Sequence, residues 1–441
     1  MEKAVRDKYF EFLRFESVSS DPAKLRESVA AAQWLKARAE EMGFSVRLET
    51  EDFAPPVVLA ERKGESPVTV LVYGHYDVQP ADPLSEWDTP PFEPTVKDGR
   101  VYCRGAQDDK GQLFALLTGI GDYLDKMSVS GGETPTIKLC LEGQEESGSP
   151  ALIKMAPRLR RELAADVLLV CDTAAAADLR PAIVAGLRGV AHFTVRLEGA
   201  NRDLHSGEYG GVAPNAAQAI AELVASLHDK HGEIAVAGFM DGIEPPTAAE
   251  RAAAAESTPS TAAMEADIGT SVATGNMVDA LSFKPTIEVN GIHSGYGGPG
   301  AKTIIPAWGE AKISMRFVPG QSPKAAFAAV KAHLEANCPK GMRLSIPERS
   351  EGAGGFRLPL SSPVFNLAAE VLKGMDGRGA VFQWDGASIP VVSVLKETSG
   401  AAPLIVGWGQ AGDRIHSPNE SYGFNQFEKA REWARRILEN V

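Results

Sequence analysis

Cysteines are few in this sequence, and long apolar runs are absent. Its 441 residues include four cysteines, which lie far apart and form no C-x-x-C pair: Cys103, Cys140, Cys171 and Cys338. This pattern argues against a disulfide framework or a thiolate metal site, and it favours a reducing compartment. No segment reaches the roughly 20 apolar residues of a membrane span. Residues 1–7 lack the apolar core of a signal peptide, so we expect a cytoplasmic protein that binds no membrane.

Basic residues are also fewer than acidic residues. The chain has 45 Lys and Arg residues against 58 Asp and Glu residues, a formal net charge of −13. Nucleic-acid binding needs clustered basic side chains, so this balance argues against a nucleic-acid partner. The length is sufficient for two domains, because single cores rarely grow beyond about 250–300 residues.

Helix and strand patterns alternate in the first part of the chain. Apolar runs at residues 68–73, 136–141 and 167–170 predict buried strands, and the apolar spacing at residues 28–42 and 111–124 predicts helices. Such alternation predicts an α/β domain with a mostly parallel central sheet and helices on both faces.

The pattern then changes to β-α-β-β-α-β, which predicts an inserted ferredoxin-like α+β domain. We expect the Ala/Glu-rich stretch at about residues 232–280 to pack as helices on this insert. Near the end of the chain the first pattern returns. The sequence therefore predicts one discontinuous domain of residues 1–187 and 358–441, interrupted by a second domain of residues 188–357.

Acidic residues and histidines stand just after apolar runs or in loops at five places. The motifs are Gly74-His75-Tyr76-Asp77, Asp108-Asp109-Lys110-Gly111, Glu145-Glu146-Ser147-Gly148, Cys171-Asp172-Thr173 and His416-Ser417-Pro418-Asn419-Glu420. Taken alone, each motif has a plainer interpretation: a solvated turn, a helix cap, an acidic surface or an exposed loop histidine. Open α/β sheets bind ligands at the carboxyl ends of their strands, so the motifs together predict one site. Its carboxylate and imidazole donors suit Zn²⁺ or Mn²⁺, and five donors suffice for two ions if one carboxylate bridges.

Two pairs of residues within the motifs indicate a division of roles. The i, i+2 spacing of His75 and Asp77 places both side chains on one face of an extended chain. Asp77 is then close enough to hold the second ring nitrogen of a metal-binding His75. Of the adjacent Glu145 and Glu146, one can bind metal while the other transfers protons.

These motifs resemble those of the di-zinc aminoacylase/carboxypeptidase superfamily of metallopeptidases, which includes glutamate carboxypeptidase, acetylornithine deacetylase and succinyl-diaminopimelate desuccinylase. The resemblance spans the whole chain and is closest to the carnosinase-type dipeptidase branch. It is carried by residues 74–80, 87–92, 104–105, 108–111, 145–149, 203–207 and 297–306.

The resemblance implies a centre of two divalent metal ions, with zinc preferred and manganese or cobalt as alternatives. The implied ligands are His75, Asp108 and Asp172 for one ion and Asp108, Glu146 and His416 for the other. Asp109 is the variable position of the family motif, so Asp108 is taken as the bridging carboxylate. The resemblance further implies that Asp77 orients His75. Glu145 would be the general base for a water shared by the two metals, and would return the proton to the leaving amine.

Residues of the inserted domain, implied to be a lid and dimerisation domain, would hold the substrate. Arg316 matches the arginine that binds a terminal carboxylate, although a surface ion pair is its plainer interpretation. His205 matches a histidine that reaches across a homodimer to the oxyanion in the partner's active site, although a packing role in a loop is also open. Thr303 of the same domain and Ser388 of the discontinuous domain would line the cleft.

The resemblance implies hydrolysis of a peptide or amide bond in a small peptide with a free carboxylate, by a dipeptidase or a carboxypeptidase-like enzyme. One departure concerns the substrate pocket: Trp384-Asp385-Gly386-Ala387-Ser388 stands where the family commonly has Arg-Glu-Gly-Gly-Ser. This leaves the preferred side chain open. An N-acyl amino-acid deacylase acting on an acyl-amino-acid substrate with the same machinery is the alternative. A more remote alternative is a non-catalytic binding protein with the same fold.

Overall fold

The computed structural model of the protein describes residues 1–350, 352–386 and 389–441. The helices are α1 (Lys3–Leu13), α2 (Leu25–Glu41), α3 (Lys110–Ser130), α4 (Pro150–Met155), α5 (Arg160–Leu163), α6 (Ser206–Tyr209), α7 (Ala216–Ala225), α8 (Ala248–Ser257), α9 (Thr261–Ile268), α10 (Met277–Ser282), α11 (Pro323–Ala336), α12 (Pro363–Asp376), α13 (Pro390–Ser399) and α14 (Phe424–Leu438). Short 3₁₀ turns lie at Pro22–Lys24, Leu84–Glu86, Glu145–Ser147, Ala156–Leu159 and Ala411–Asp413. Within the described ranges, no helix is long and apolar enough to cross a membrane.

The strands follow the same chain order. They are β1 (Ser45–Glu49), β2 (Val57–Arg62), β3 (Thr69–His75), β4 (Thr95–Lys97), β5 (Arg100–Tyr102), β6 (Thr136–Glu142), β7 (Val167–Val170), β8 (Ala182–Leu187), β9 (Gly189–Glu198), β10 (Leu204–His205), β11 (Thr286–Ser294), β12 (Ile304–Ile305), β13 (Trp308–Phe317), β14 (Arg343–Arg349), β15 (Phe356–Arg357), β16 (Val381–Asp385), β17 (Ala402–Gly407) and β18 (Ser421–Gly423).

Nine strands form the main sheet, in the order β1-β2-β6-β3-β7-β17-β8-β15, with β16 also paired to β8. The central strands β6, β3, β7 and β17 run parallel to one another. The strands β1 and β2 on one side, and β8 and β15 on the other, continue the sheet in antiparallel fashion. The prediction of an α/β fold with a mostly parallel centre is therefore confirmed.

Helices cover both faces of the main sheet, because its central strands are apolar on both sides. One core packs α2, α3, α12 and α14 against the strands and includes Leu35, Leu116, Leu372 and Trp433. The other core packs α4, α5 and α13 and includes Leu152, Leu163 and Leu395. The parallel strands all direct their carboxyl ends to one edge, where the loops are free to carry polar side chains.

A second sheet has the order β11-β13-β9-β14, with every pair antiparallel. With α7 and α11 it follows the chain order β-α-β-β-α-β, and it buries its own core around Phe193, Leu223 and Val330. This is the ferredoxin-like arrangement expected for the insert, called the lid below. The domain limits at 187/188 and 357/358 stay a prediction; β15 lies beside β8 in the main sheet.

One expectation about the lid was wrong. Part of the stretch at residues 232–280 packs on the main sheet instead, because α8 lies against β16. The hydroxyl of Ser257 donates a hydrogen bond to the carbonyl oxygen of Phe382 at 3.1 Å, and Ala254 is buried in the first main core. Among the described strands β16 pairs only with β8, so its unpaired side has to be covered by another element. The small side chains of α8 permit that close approach.

Candidate active site

Loops at the carboxyl edge of the main sheet bring the five motifs together. His75 is the last residue of β3, and the 3₁₀ turn Glu145–Ser147 follows β6. Asp172 lies two residues after β7, Asp108 lies two residues before α3, and His416 lies in the loop after β17. Motifs separated by hundreds of residues thus meet because their strands are parallel neighbours.

Asp108 stands between two histidines. Its Oδ1 lies 3.3 Å from Nε2 of His75, and its Oδ2 lies 2.9 Å from Nε2 of His416. Asp172 Oδ2 is 3.7 Å from the same nitrogen of His75, and Glu146 Oε2 is 3.4 Å from the same nitrogen of His416. One carboxylate with an oxygen toward each of two donor groups is the arrangement that a bridging ligand requires.

Asp109, which the sequence prediction set aside, also belongs to the cluster. The donor groups that could each hold a metal ion are His75, Asp109 and Asp172, and Asp108, Glu146 and His416. Oδ2 of Asp109 accepts the backbone N–H of His75 at 3.2 Å, and its buried Oδ1 has no hydrogen-bond partner in the described part of the chain. Asp108 differs from Asp109 in that its two oxygens face the two histidines.

Asp77 ties His75 to the two glutamates. Its Oδ1 lies 3.3 Å from Nδ1 of His75, and its two oxygens accept the backbone N–H groups of Glu145 and Glu146, each at 3.1 Å. Asp77 is fully buried. If Nδ1 of His75 carries the proton toward Asp77, Nε2 is the nitrogen left to bind a metal on the side of Asp108.

Several carboxylates lie close together in this buried region, and this arrangement shifts the pKa values of the site residues. Burial raises the pKa of Glu145 to about 8, and burial followed by the charge of Asp109 raises the pKa of Asp172. Burial also opposes ionisation of Asp108, but hydrogen bonds from His416 and His75 outweigh it and lower the pKa of that carboxyl. Hydrogen bonds to Asp108 and Glu146 raise the pKa of His416 to about 10.

These residues fit divalent metal ions. Oε1 of Glu146 is a second buried oxygen that lacks a hydrogen-bond partner among the described residues. Buried carboxylate oxygens without donors are costly unless a cation compensates them. Both donor groups consist of nitrogen and oxygen donors without a thiolate, and the four cysteines are free thiols.

A cleft of about 310 Å³ opens beside the cluster. Its lining includes Asp108, Glu145, Glu146, Asp172, Asp385, Ile389, Arg414 and His416. A larger hollow of about 490 Å³ lies against β1, β2 and β6 and holds none of the motif residues. We place the site in the smaller cleft, because the metal donors and the candidate base converge there.

Two lid residues predicted to act with this cluster, His205 and Thr303, are not among the described residues that line the cleft. His205 and Thr303 are neighbours: the N–H of Ser206 donates to the carbonyl oxygen of Thr303 at 3.1 Å, and both predicted residues are exposed. Nδ1 of His205 accepts the N–H of Gly207 at 3.0 Å. In the neutral ring Nε2 then carries the proton and can donate.

Arg316 is half-buried in β13, between Thr286 of β11 and Val190 of β9. Burial lowers the pKa of Arg316, while the charge of Asp385 raises it. Asp385 lines the cleft, so one carboxylate of the cleft interacts with the charge of Arg316. Ser388, predicted to line the cleft, lies outside the described residues.

Comparison with known proteins decides the family. Residues 71–440 match Peptidase family M20/M25/M40. The chain belongs to this family. This M20 chain is 28% identical to the Cys-Gly metallodipeptidase DUG1 of Saccharomyces cerevisiae over 445 residues, covering 94% of this chain and 90% of that relative.

Solved structures of similar proteins support the same family. The M20 family metallo-carboxypeptidase Sso-CP2 from Sulfolobus solfataricus is 29% identical in sequence, with a TM-score of 0.91. The match covers 100% of this chain and 99% of the Sso-CP2 chain. Human carnosine dipeptidase 1 is 26% identical in sequence, with a TM-score of 0.81, and the match covers 99% of this chain and 95% of the dipeptidase chain. The M20 chain is a metallopeptidase of the carnosinase-type branch, as the motifs implied.

Proposed function

We propose that this M20 metallopeptidase uses two divalent metal ions to hydrolyse the peptide bond of a small substrate with a free carboxylate. The observation that carries the proposal is Asp108, whose two oxygens lie 3.3 Å and 2.9 Å from the nitrogens of His75 and His416. The nitrogen and oxygen donor set favours zinc, with manganese and cobalt as alternatives.

The ligands we assign are His75, Asp108 and Asp172 for one ion and Asp108, Glu146 and His416 for the other. When bound, the ions supply Lewis acidity, which polarises an amide carbonyl and makes water a better nucleophile. The chain supplies the geometry: Asp77 holds His75 on one side and the turn of the two glutamates on the other.

Glu145 is assigned the role of general base. Its carboxylate lines the cleft and makes no hydrogen bond within the described ranges, whereas Oε2 of Glu146 faces His416 and accepts a hydrogen bond from Nε2 of Gln79 at 2.8 Å. A carboxylate that is free to move toward the substrate can take the proton of the attacking water and return it to the leaving amine.

The substrate class follows from Arg316 and from the relatives. A planar guanidinium suits bidentate binding of a carboxylate, and the charge of Arg316 interacts with Asp385, which lines the cleft. Relatives are named for Cys-Gly and Beta-Ala-His dipeptides. We therefore propose a dipeptide as the substrate, which Thr303 and Ser388 would help to bind, as the motifs imply.

We also propose a cytoplasmic homodimer in which His205 acts in the partner's active site. The support is that His205 is exposed and has a donor nitrogen, yet lies outside the cleft of its own chain. The free cysteines support a reducing compartment.

A substrate panel tests the proposed function. The chelator-stripped protein is reconstituted with Zn²⁺, Mn²⁺ or Co²⁺ and assayed on dipeptides, on C-terminally amidated dipeptides, and on N-acetyl and N-succinyl amino acids. We expect metal-dependent turnover of dipeptides and poor turnover of their amides. Faster turnover of the N-acyl substrates would make the protein a deacylase, and metal binding without turnover of any of them would indicate a binding protein.

The variant Arg316→Lys adds a test of carboxylate binding to this substrate panel, because lysine keeps the positive charge but lacks the planar guanidinium group. A charge-assisted hydrogen bond contributes about 1.5–3 kcal/mol, so kcat/KM for free dipeptides should fall by roughly tenfold or more. Amidated dipeptides should be insensitive to the change. Equal effects on both substrate classes would remove Arg316 from carboxylate binding.

A further inference from the structure

The carboxylate of Glu420 lies at the centre of the loop that carries Asp108. Its Oε2 accepts hydrogen bonds from Nη1 of Arg104 at 2.7 Å and from the N–H of Gly105 at 3.0 Å. Its Oε1 accepts the N–H groups of Gln107 at 2.9 Å and of Asp108 at 3.1 Å. Glu420 is fully buried, so these donors take the place of water around its charge.

The same segment carries His416, four residues earlier. The carbonyl oxygen of Glu420 accepts the N–H of Cys103 at 3.1 Å. Asn419 fixes the segment on another side, since its Oδ1 accepts the N–H of Asp88 at 2.8 Å and its Nδ2 donates to the carbonyl oxygen of Glu86 at 3.0 Å. The side chain of His416 itself is 51% exposed, so its position depends on these anchors.

Four donors that converge on two oxygens require an ionised carboxylate. A carboxamide has one acceptor oxygen and would turn its NH₂ group toward two of the donors. One of the donors is a buried guanidinium, because the side chain of Arg104 is 1% exposed. Removal of the charge at Glu420 therefore leaves Arg104 without its counter-charge and frees the backbone at Asp108.

We infer that Glu420 is a positioning residue, which holds the bridging Asp108 at the correct distance from His416 and so governs the affinity of both metal ions. The inference rests on the proposed two-metal function. It differs from the role of a ligand to one ion: loss of Glu146 should weaken one site, whereas loss of Glu420 displaces the shared carboxylate and weakens both.

Zn²⁺ binding measured by competition with a chromogenic chelator tests this inference, on wild type and on Glu420→Gln. We expect both ions to bind about 10–100-fold more weakly in the variant, the range typical of residues that support metal ligands. With saturating Zn²⁺, kcat for a dipeptide should stay below that of wild type while KM changes little, because the substrate-binding residues are untouched.

Asp413→Asn is the matched control. Asp413 is also fully buried and paired with an arginine, Arg100, and it accepts hydrogen bonds from Gln410 and Gln426. None of these donors lies in residues 104–108. This variant should lose thermal stability yet bind both ions with wild-type affinity.

If Glu420→Gln fails to fold, Glu420→Asp replaces it, because the shorter side chain keeps the charge for Arg104 but cannot reach every donor. A folded Glu420 variant with wild-type affinity for both ions overturns the inference, and so does an equal loss of affinity in Asp413→Asn. A wild type that binds no second ion would instead contradict the proposed function itself.

Discussion

Glu145 and Glu146 are adjacent and share one anchor, since both backbone N–H groups donate to Asp77, yet their carboxylates have different surroundings. Glu145→Gln should retain both metal ions and lose most of kcat, because the proton acceptor is gone. General acid–base catalysis typically contributes about 10²–10⁴-fold. Glu146→Gln should weaken the site of His416. Metal analysis and steady-state kinetics check both variants, and a Glu145→Gln protein that loses a metal while Glu146→Gln keeps two would reverse the assignment.

Glu142, at the end of β6, is a buried carboxyl that the proposed chemistry does not use. Its Oε1 accepts hydrogen bonds from the hydroxyls of Tyr73 and Ser149, both at 2.8 Å, while its Oε2 has no partner among the described residues. Burial raises the pKa of Glu142 to about 7. An unfolded glutamate titrates near pH ~4.3, so the folded state holds a proton that the unfolded chain has released between these two values.

The contribution of Glu142 to the free energy of unfolding of the metal-free protein should therefore fall as pH rises from about 4.3 to about 7. Glu142→Gln keeps the acceptor oxygen without a titrating proton, so this loss should shrink by roughly 3 kcal/mol. Denaturant unfolding across this pH range, with chelator present, measures the difference. Parallel pH profiles for the two proteins would show that Glu142 is ionised in the folded state.

At the scale of elements, β11 is one of the two edge strands of the lid sheet in the described part of the chain. It pairs with β13 on one side, and its residues Val289 and Ile292 are 38% and 50% exposed. An unpaired strand edge is a template for pairing with another chain. We expect Ile292→Lys to weaken self-association, because a charge is costly in a closed interface, and to leave the lid folded.

Sedimentation velocity and far-UV circular dichroism check this expectation. Val129→Lys serves as the control, because Val129 is 89% exposed at the end of α3, outside the lid. A dimer as tight as wild type in Ile292→Lys would place the interface elsewhere.

At the scale of the whole molecule, we propose that His205 of a second copy completes each active site. An imidazole N–H aimed at a developing oxyanion typically contributes about 10²–10³-fold to kcat. His205→Ala and Glu145→Ala should each be dimeric, metal-loaded and nearly inactive. After subunit exchange, a heterodimer has one site with both defects and one site with neither, so about half of the wild-type activity should return in that species. Inactive heterodimers, verified by native mass spectrometry, would place the action of His205 within its own subunit or exclude it.

The sequence by itself determined the kind of sheet and the kind of donors. Apolar runs of strand length separated by helical patterns predict parallel strands, and strands of that class direct their carboxyl ends to one edge. Because His75, Asp172 and the Glu145–Ser147 turn follow such runs, their convergence could be expected before any coordinates. The family motifs made the branch recognisable, and the comparisons confirmed it.

Only the tertiary structure decided which atoms face which. The two oxygens of Asp108 lie toward histidines of different loops, and the contact with His416 spans 308 positions in the chain. Asp109 joins the donor cluster, and Glu420 accepts from the loop of Asp108 across more than 300 positions. α8 likewise packs on β16 rather than on the lid. Local periodicity reports the buried face of an element but not its partner, because that choice depends on which distant surfaces the finished fold leaves uncovered.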